Sequence, residues 1–148
     1  MATSRNPYQF ARRFAIIANV IRKNTIKTVK RAAIAADQAV VLATPVDTGR
    51  LRANWLVTVG VPASGETSFA KGRDGSTKGP ATNDALSQGR DMIKTWKLGS
   101  GGIFITNNVR YGPIIDAGYS AQAPRGMTAK GILAASRQLG FARLLEGV

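Results

Sequence analysis

A stretch of about 35 residues near the start of the chain has the periodicity of one long helix. Between residues 9 and 43, apolar and small residues recur in steps of three and four and form one stripe: Phe10, Phe14, Ile17, Ile21, Thr25, Thr28, Ala32, Ala35 and Ala39. The helix is predicted to end at Thr44, because a residue before proline avoids the helical conformation. At 1.5 Å per residue the helix would be roughly 50 Å long, more than a domain of this size needs on one face. We therefore expect part of it to pack outside its own fold.

The side of this helix away from the stripe is basic. Its bases are Arg12, Arg13, Lys23, Lys27, Lys30 and Arg31. Ile16, Val20 and Ile34 lie among these bases. Two interpretations stay open: they are scattered surface apolar residues of the ordinary kind, or they form a second contact face toward a neighbouring subunit.

The whole chain is strongly basic. It has 21 Lys and Arg residues against 8 Asp and Glu, a formal net charge of +13 over 148 residues. This surplus favours polyanionic partners or acidic protein surfaces. The alternative is a solvated basic surface that only promotes solubility.

Residues 44–61 are predicted to form a turn and then a strand. Pro45, Asp47 and Gly49 are typical turn residues. From Leu51 to Val61, apolar residues share one parity, which is the period of a half-buried strand. Residues 62–80 have almost no apolar side chains, so they are predicted to form a long flexible loop, which Lys71, Arg73 and Lys78 make basic.

The rest of the chain alternates between helix and strand signals. We predict a helix from Thr82 or Asn83 to about residue 96, a strand over 102–106, a short helix over 111–117 stopped by Gly118, and a closing helix over 127–145. The apolar contacts expected are Leu86, Met92 or Ile93, and Trp96 in the first of these, and Met127, Leu133, Leu139 and Leu144 or Leu145 in the last. The order predicts one α+β domain over residues 1–148, with the long N-terminal helix and the C-terminal helix packed on a small, mostly antiparallel sheet.

Composition argues against an enzyme. The chain has no cysteine and no histidine, and its eight acids are scattered without helical pairing. Disulfides, thiolate metal sites and histidine general bases are thereby excluded, and no metal or cofactor is expected. No apolar run approaches the roughly 18 residues of a membrane span, so no membrane partner is expected, and no secretory signal is recognisable. The chain also lacks a helix-turn-helix, a zinc finger and an aromatic RNA-binding sheet, so any contact with DNA should be independent of sequence.

Two segments resemble one known protein family. Residues 44–55 read Thr-Pro-Val-Asp-Thr-Gly-Arg-Leu-Arg-Ala-Asn-Trp, and residues 107–127 read Asn-Asn-Val-Arg-Tyr-Gly-Pro-Ile-Ile-Asp-Ala-Gly-Tyr-Ser-Ala-Gln-Ala-Pro-Arg-Gly-Met. In this order and separation they resemble the neck or tail-completion proteins of long-tailed bacteriophages, also described as head–tail joining or minor tail proteins. Arg110, Gly112 and Asp116 depart from the family pattern, which often has proline, alanine and glutamate there.

The resemblance implies a non-enzymatic structural protein of the virion. Its copies would form a ring, expected as a hexamer with a dodecamer as the alternative, between a head-side connector and a tail terminator or tail tube. Genomic DNA would pass through the ring without sequence-specific contacts. The protein would reside in the virion neck or tail, and in the host cytoplasm during assembly. The main alternative is a free, non-specific DNA-binding protein.

The resemblance also assigns roles to residues. Pro45, Asp47, Thr48, Gly49 and Arg50 would shape the turn, Asn54 belongs to the same block, and Trp55 would anchor the core. Asn107, Asn108 and Tyr111 would position the short helix, and Gly118, Ser120, Gln122, Pro124, Gly126 and Met127 would form a rigid loop that touches a neighbour or the tail. The bases expected to face DNA or a partner are those of the long helix and of the loop: Arg12, Arg13, Lys23, Lys27, Lys30, Arg31, Lys71, Arg73 and Lys78. For the glycines, holding a turn in place is an equally good explanation.

Overall fold

A computed structural model describes residues 6–67 and 78–147, with the side chains at 78–81 left out. Its elements are α1 (Pro7–Ala43), α2 (Arg50–Ala53), β1 (Leu56–Val59), α3 (Lys78–Thr95), β2 (Ile103–Thr106), α4 (Gly112–Asp116) and α5 (Thr128–Gly140). The predicted α+β class is confirmed: a long N-terminal helix and a C-terminal helix accompany a small antiparallel sheet.

Helix α1 begins two residues earlier than predicted. The side chain of Asn6 accepts a hydrogen bond from the backbone N–H of Tyr8, and Pro7 occupies the first turn, where its missing N–H costs nothing. The helix ends at Ala43, as Pro45 predicts. Its 37 residues make it about 55 Å long.

Only the C-terminal part of α1 contributes to the core. Its fully buried residues are Ala32, Asp37, Val40 and Val41, whereas every residue from 7 to 16 is exposed. The rings of Phe10 and Phe14, which begin the predicted stripe, are 64% and 65% exposed. The helix therefore extends about 15 Å beyond the described part of its own fold.

The strand predicted over residues 51–61 is wrong in its first half. Residues 50–53 form the single helical turn α2, and β1 covers only residues 56–59. Leu51 and Trp55 are four residues apart, a spacing that a helical turn and a strand both place on one face, so parity alone did not distinguish them. The turn is stabilised by the Asn54 side chain, which donates to the Arg50 carbonyl at 2.9 Å.

The sheet and the helices form two layers. β1 and β2 pair antiparallel, with Val57 opposite Ile105. In the helical layer α1 lies between α3 and α5, and α3 also packs against β1. The largest buried cluster joins the end of α1 to α2, α3 and the segment before α5; its members are Val40, Val41, Leu51, Trp55, Ala85, Val109, Ala123 and Met127.

The helix that follows the predicted loop begins earlier than predicted. Residues 62–67 have no regular structure, but α3 begins at Lys78, so the prediction of a loop through residue 80 and of a helix start at Thr82 or Asn83 is wrong. Lys71 and Arg73 lie outside the described residues. Ile93 and Trp96 are buried and Leu86 packs on the core, as predicted.

The C-terminal helix is also shorter than predicted. It ends at Gly140, and residues 141–147 form turns. The predicted apolar contacts Leu133, Leu139, Leu144 and Leu145 are exposed, so that prediction is wrong, whereas Met127 is buried. The tail is held to α1 through its backbone instead, because the Asn24 amide donates to the carbonyls of Leu144 and Glu146 at 3.0 and 3.1 Å.

Candidate functional site

The two sequence blocks that carry the family resemblance lie side by side in the structure. They line one cavity of about 250 Å³, whose walls include Pro45, Asp47, Thr48 and Gly49 from the first block and Tyr111, Ser120 and Gln122 from the second. A hydrogen bond of 3.4 Å from the Val46 N–H to the Gln122 side-chain carbonyl joins the two blocks directly. We therefore take this surface, called the motif surface below, as one candidate site.

The first block is shaped by a left-handed glycine. Gly49 has φ +85°, which reverses the chain into α2. Arg50 then points outward and its Nε donates to the Glu66 carboxylate at 2.9 Å. Asp47 and Thr48 are exposed on the motif surface, and the Thr48 hydroxyl accepts a 3.5 Å hydrogen bond from the Arg50 N–H. These residues remain accessible to a partner.

Other residues of the first block hold the scaffold. Trp55 is buried, and its indole N–H donates to the Thr44 hydroxyl at 2.6 Å, which itself donates to the Val40 carbonyl at 2.6 Å. Asn54 is buried as well and accepts a 2.7 Å hydrogen bond from the Thr67 N–H. Trp55 therefore anchors the core, as predicted.

The two asparagines of the second block connect distant loops. The Asn107 amide donates to the Leu51 carbonyl at 2.7 Å and its oxygen accepts from Val109 N–H at 3.2 Å, so it sets the approach to α4 as predicted. Asn108 has a different role from the predicted one, since its amide donates to the carbonyls of Ala63 and Gly65. Tyr111 caps α4 with its backbone, and its side chain is exposed.

The loop between α4 and α5 is fixed by Asp116. Its carboxylate accepts hydrogen bonds from the N–H groups of Met127 (2.6 Å) and Thr128 (2.8 Å), and so caps α5 from a distance. Burial raises the pKa of Asp116, but hydrogen bonds from Thr128 and Met127 outweigh it, so the pKa lies below its ordinary value.

Two glycines keep this loop compact. Gly126 has φ +70° and lies against the Asp116 carbonyl, with no room for a Cβ. A Cβ on Gly118, where φ is +95°, would lie 2.7 Å from the Pro124 carbonyl oxygen. Gly126 and Met127 are buried and hold the loop in place, whereas Gln122 and Pro124 are exposed.

The predicted basic residues of α1 form a second candidate surface. Arg12, Arg13, Lys23, Lys27 and Arg31 are exposed, and no acidic side chain of the described residues forms an ion pair with any of them. Lys30 is half-buried, and its ammonium donates to the Lys94 carbonyl at 2.7 Å. Lys78 begins α3, but its side chain is not described.

The exposed end of α1 is a third candidate surface, and it is apolar. Tyr8 is 84% exposed, Phe10 and Phe14 stack with ring centroids 6.5 Å apart, and Ile16 is also exposed. We call these four residues the aromatic end. Val20 and Ile34, the other apolar residues among the bases, are half-buried.

Asp37 is an unusual residue that belongs to no sequence motif. It is the first acid of α1, is 2% exposed and faces Gly89 of α3, and its Oδ1 atom has no hydrogen-bond partner in the described residues. Desolvation by burial raises its pKa to about 7. Its position three residues before the buried Val40, on a helix otherwise rich in bases, was the signal available in the sequence.

No cluster of three potential metal ligands occurs in the described part of the chain. Among the described helices, none is both long and apolar enough to cross a membrane. Comparisons with protein-family models, with curated proteins and with solved structures found no match for this chain.

Proposed function

We propose that this chain is a non-enzymatic structural subunit of the neck or tail-completion assembly of a tailed bacteriophage, where its copies form a closed ring around the DNA channel. The two sequence blocks support the family, and their meeting at one surface supports a shared role. The ring would join a head-side connector to a tail terminator or tail tube. The protein would belong to the virion.

The observation that carries this proposal is the aromatic end of α1. Phe10 and Phe14 are stacked on one face of this end of α1, and nothing else in the described fold covers them. Tyr8 and Ile16 are exposed on other faces of the same end. An exposed apolar patch of this kind is typical of an interaction site. At roughly 150–250 Å² per buried aromatic side chain, covering it would supply a large part of the roughly 800 Å² per partner of a stable interface.

Geometry favours head-to-tail contacts over a two-fold dimer. The aromatic end lies at one extremity of α1, whereas the motif surface lies beyond the other extremity, next to Pro45. Two different patches on one subunit form heterologous contacts, and these close into a ring when the rotation between neighbours permits it. Copies that carry a charge of +13 repel each other, and DNA in the lumen would offset this repulsion.

Native mass spectrometry over a range of protein concentrations tests the proposal. We expect one closed stoichiometry, six or twelve copies, either alone or after mixing with purified heads and tails. The double variant Phe10→Ser/Phe14→Ser should remain folded and lose this assembly. Phe141→Ser, which removes an exposed aromatic ring in the turns after α5, outside both the aromatic end and the motif surface, is the control and should assemble normally. A protein that stays monomeric under all these conditions would contradict the proposal.

A second candidate function is non-specific DNA binding outside a ring. The unpaired bases along α1 favour it, because such a row can contact successive phosphates. It predicts DNA affinity in the monomer, with a log–log salt slope of about −4 to −5 if five bases contact phosphates. Lys23→Ala/Lys27→Ala should reduce this slope by about two. Absence of binding to duplex DNA at low salt would remove this candidate.

A further inference from the structure

The outer edge of β1 is already closed by a side chain. The Val57 N–H donates to the Gln88 side-chain oxygen at 3.0 Å, and the Gln88 amide donates to the Val57 carbonyl at 2.8 Å. Gln88, on α3, thus satisfies the backbone of β1 as a further strand would. A further strand cannot pair with Val57 while Gln88 occupies its backbone groups.

The outer edge of β2 is open. The Gly60 N–H donates to the Gly102 carbonyl at 2.9 Å, which makes residues 60 and 102 a hydrogen-bonded pair. Because antiparallel pairs alternate, the backbone groups of Ile103 and Ile105 point away from β1. In the described residues these groups have no hydrogen-bond partner.

An apolar cleft lies beside this open edge. It consists of adjoining cavities of about 380 and 210 Å³, between β2 on one side and α1 with α5 on the other. Its helical wall includes small residues, among them Ala36 and Ala135, beside larger ones such as Val40 and Leu139. Gly131 brings α5 close to α1, since a Cβ there would lie 2.5 Å from a methyl group of Val40.

The helical layer is wider than the sheet. It contains three helices side by side, α3, α1 and α5, whereas the sheet has two strands in the described part of the chain, and the strand farther from α3 is β2. At the edge of the cleft Ile132 of α5 is 63% exposed. The cleft therefore has the position and the apolar lining of a missing third strand.

We propose that an extended segment of a different protein, apolar at alternate positions and flanked by acidic residues, adds to the sheet along β2 and fills this cleft. Only an extended backbone can satisfy the outward groups of Ile103 and Ile105 together. Its side chains on one face would enter the cleft, whose small wall residues leave room for them.

Charge identifies the kind of segment. Among the described residues, Asp116 is the only ionisable one that lines these two cavities or the cavity that adjoins them at Trp55 and Ile105. Its carboxylate already accepts two backbone hydrogen bonds. The exposed bases Lys97 and Lys130 are sequence neighbours of the lining residues Trp96 and Gly131. Trp96 lines the cleft near Gly102, at the start of β2, and Gly131 lines it near Ile105, toward the end of β2. Bases thus adjoin lining residues at both ends of the cleft, and acidic flanks on the bound segment match them.

The test uses the full-length protein and a blocked synthetic peptide, Glu-Glu-Val-Thr-Val-Thr-Val-Glu-Glu. Binding is measured by calorimetry, and exchange of the Ile103 and Ile105 amides by NMR. We expect saturable binding that slows exchange at both amides at least about tenfold. A peptide with N-methylated valines should bind at least about tenfold more weakly, since it cannot complete the ladder. A peptide with Lys in place of Glu should also bind more weakly.

Variants locate the site. Ala135→Trp fills the cleft and should abolish peptide binding, whereas Ser136→Trp, on the exposed neighbouring position, should not. Several results would overturn the proposal: no binding of the acidic peptide, equal binding of the Lys peptide, or protection of Ile103 and Ile105 by self-association without peptide. These results are independent of ring formation, because the site can be saturated in a monomer as well as in an assembled ring.

Discussion

The indole N–H of Trp55 and the hydroxyl of Thr44 are joined by a buried 2.6 Å hydrogen bond that ties the start of β1 to the end of α1. The Thr44 hydroxyl in turn donates a hydrogen bond to the Val40 carbonyl, so three buried residues form one hydrogen-bonded chain. Both residues belong to the first family-like block. This block thus builds the scaffold from which Asp47 and Thr48 are presented.

Trp55→Phe should destabilise the fold by about 2–4 kcal/mol, because it removes buried apolar volume and leaves the Thr44 hydroxyl without its donor. Urea unfolding followed by far-UV circular dichroism measures this change. Thr44→Val, alone and combined with Trp55→Phe, tests the coupling between the two residues. The double variant should lose about 1 kcal/mol less stability than the sum of the two single variants. Strict additivity would show that the bond contributes nothing.

Stability should fall as pH rises from about 4 to 8 because of Asp37. Its folded pKa of about 7 lies above the unfolded value near 3.9, so the folded state holds the proton over this interval and the unfolded state releases it. The stabilisation that comes from protonated Asp37 is fully present below a pH of about 4 and is lost as pH rises through about 7. The free energy of unfolding should fall by up to about 3–4 kcal/mol over this interval.

The variant Asp37→Asn isolates this effect. Its free energy of unfolding relative to the wild type should increase steadily between pH 5 and pH 8, by about 2–4 kcal/mol. Asp91→Asn removes an exposed carboxylate of α3 as a control and should change stability by less than about 1 kcal/mol. A difference between wild type and Asp37→Asn that does not vary with pH would refute the assignment.

Gly126→Ala should destabilise the fold by more than about 2 kcal/mol. Its left-handed φ of +70° costs about 1–2 kcal/mol for any other residue, and the new Cβ would also collide with the Asp116 carbonyl. Gly65→Ala is the matched control, because its φ is +83° but no atom lies within 4 Å of the added Cβ. Equal thermal unfolding temperatures for the two variants would contradict the role of this contact.

Asp116→Ala should cost about 1–2 kcal/mol and increase amide exchange in the first turn of α5, since it removes the acceptor for Met127 and Thr128. The lowered pKa of Asp116 means that its contribution is present above a pH of about 4 and is lost as pH falls through the folded value. If the Thr128 amide exchanges at the same rate in the variant and in the wild type, Asp116 does not cap α5.

The sequence allowed the long helix, β2, α4 and the overall class to be predicted, since each rests on local periodicity or on a proline or glycine boundary. It did not allow α2 to be distinguished from a strand, because Leu51 and Trp55 satisfy both periods. The exposure of Phe10 and Phe14 was equally inaccessible, since a stripe does not reveal where its own fold ends. The closure of β1 by Gln88 depends on tertiary placement of α3, which no local pattern encodes.

The candidate surfaces were predicted in part. The sequence does not reveal that the two family-like blocks meet at the motif surface, because they are far apart along the chain. In the fold, the hydrogen bond between Val46 and Gln122 joins them. The sequence left the role of Gly126 open, because a glycine that holds a turn and a glycine that touches a partner look alike in sequence.

Electron cryomicroscopy of the neck of intact particles tests the central claim most directly. We expect a closed ring of this fold at the head–tail junction, with Phe10 and Phe14 of each copy packed on the next copy and the bases of α1 free of acidic partners within the subunit. Density for this chain away from the junction, or as a solitary subunit with the aromatic end in solvent, would contradict it.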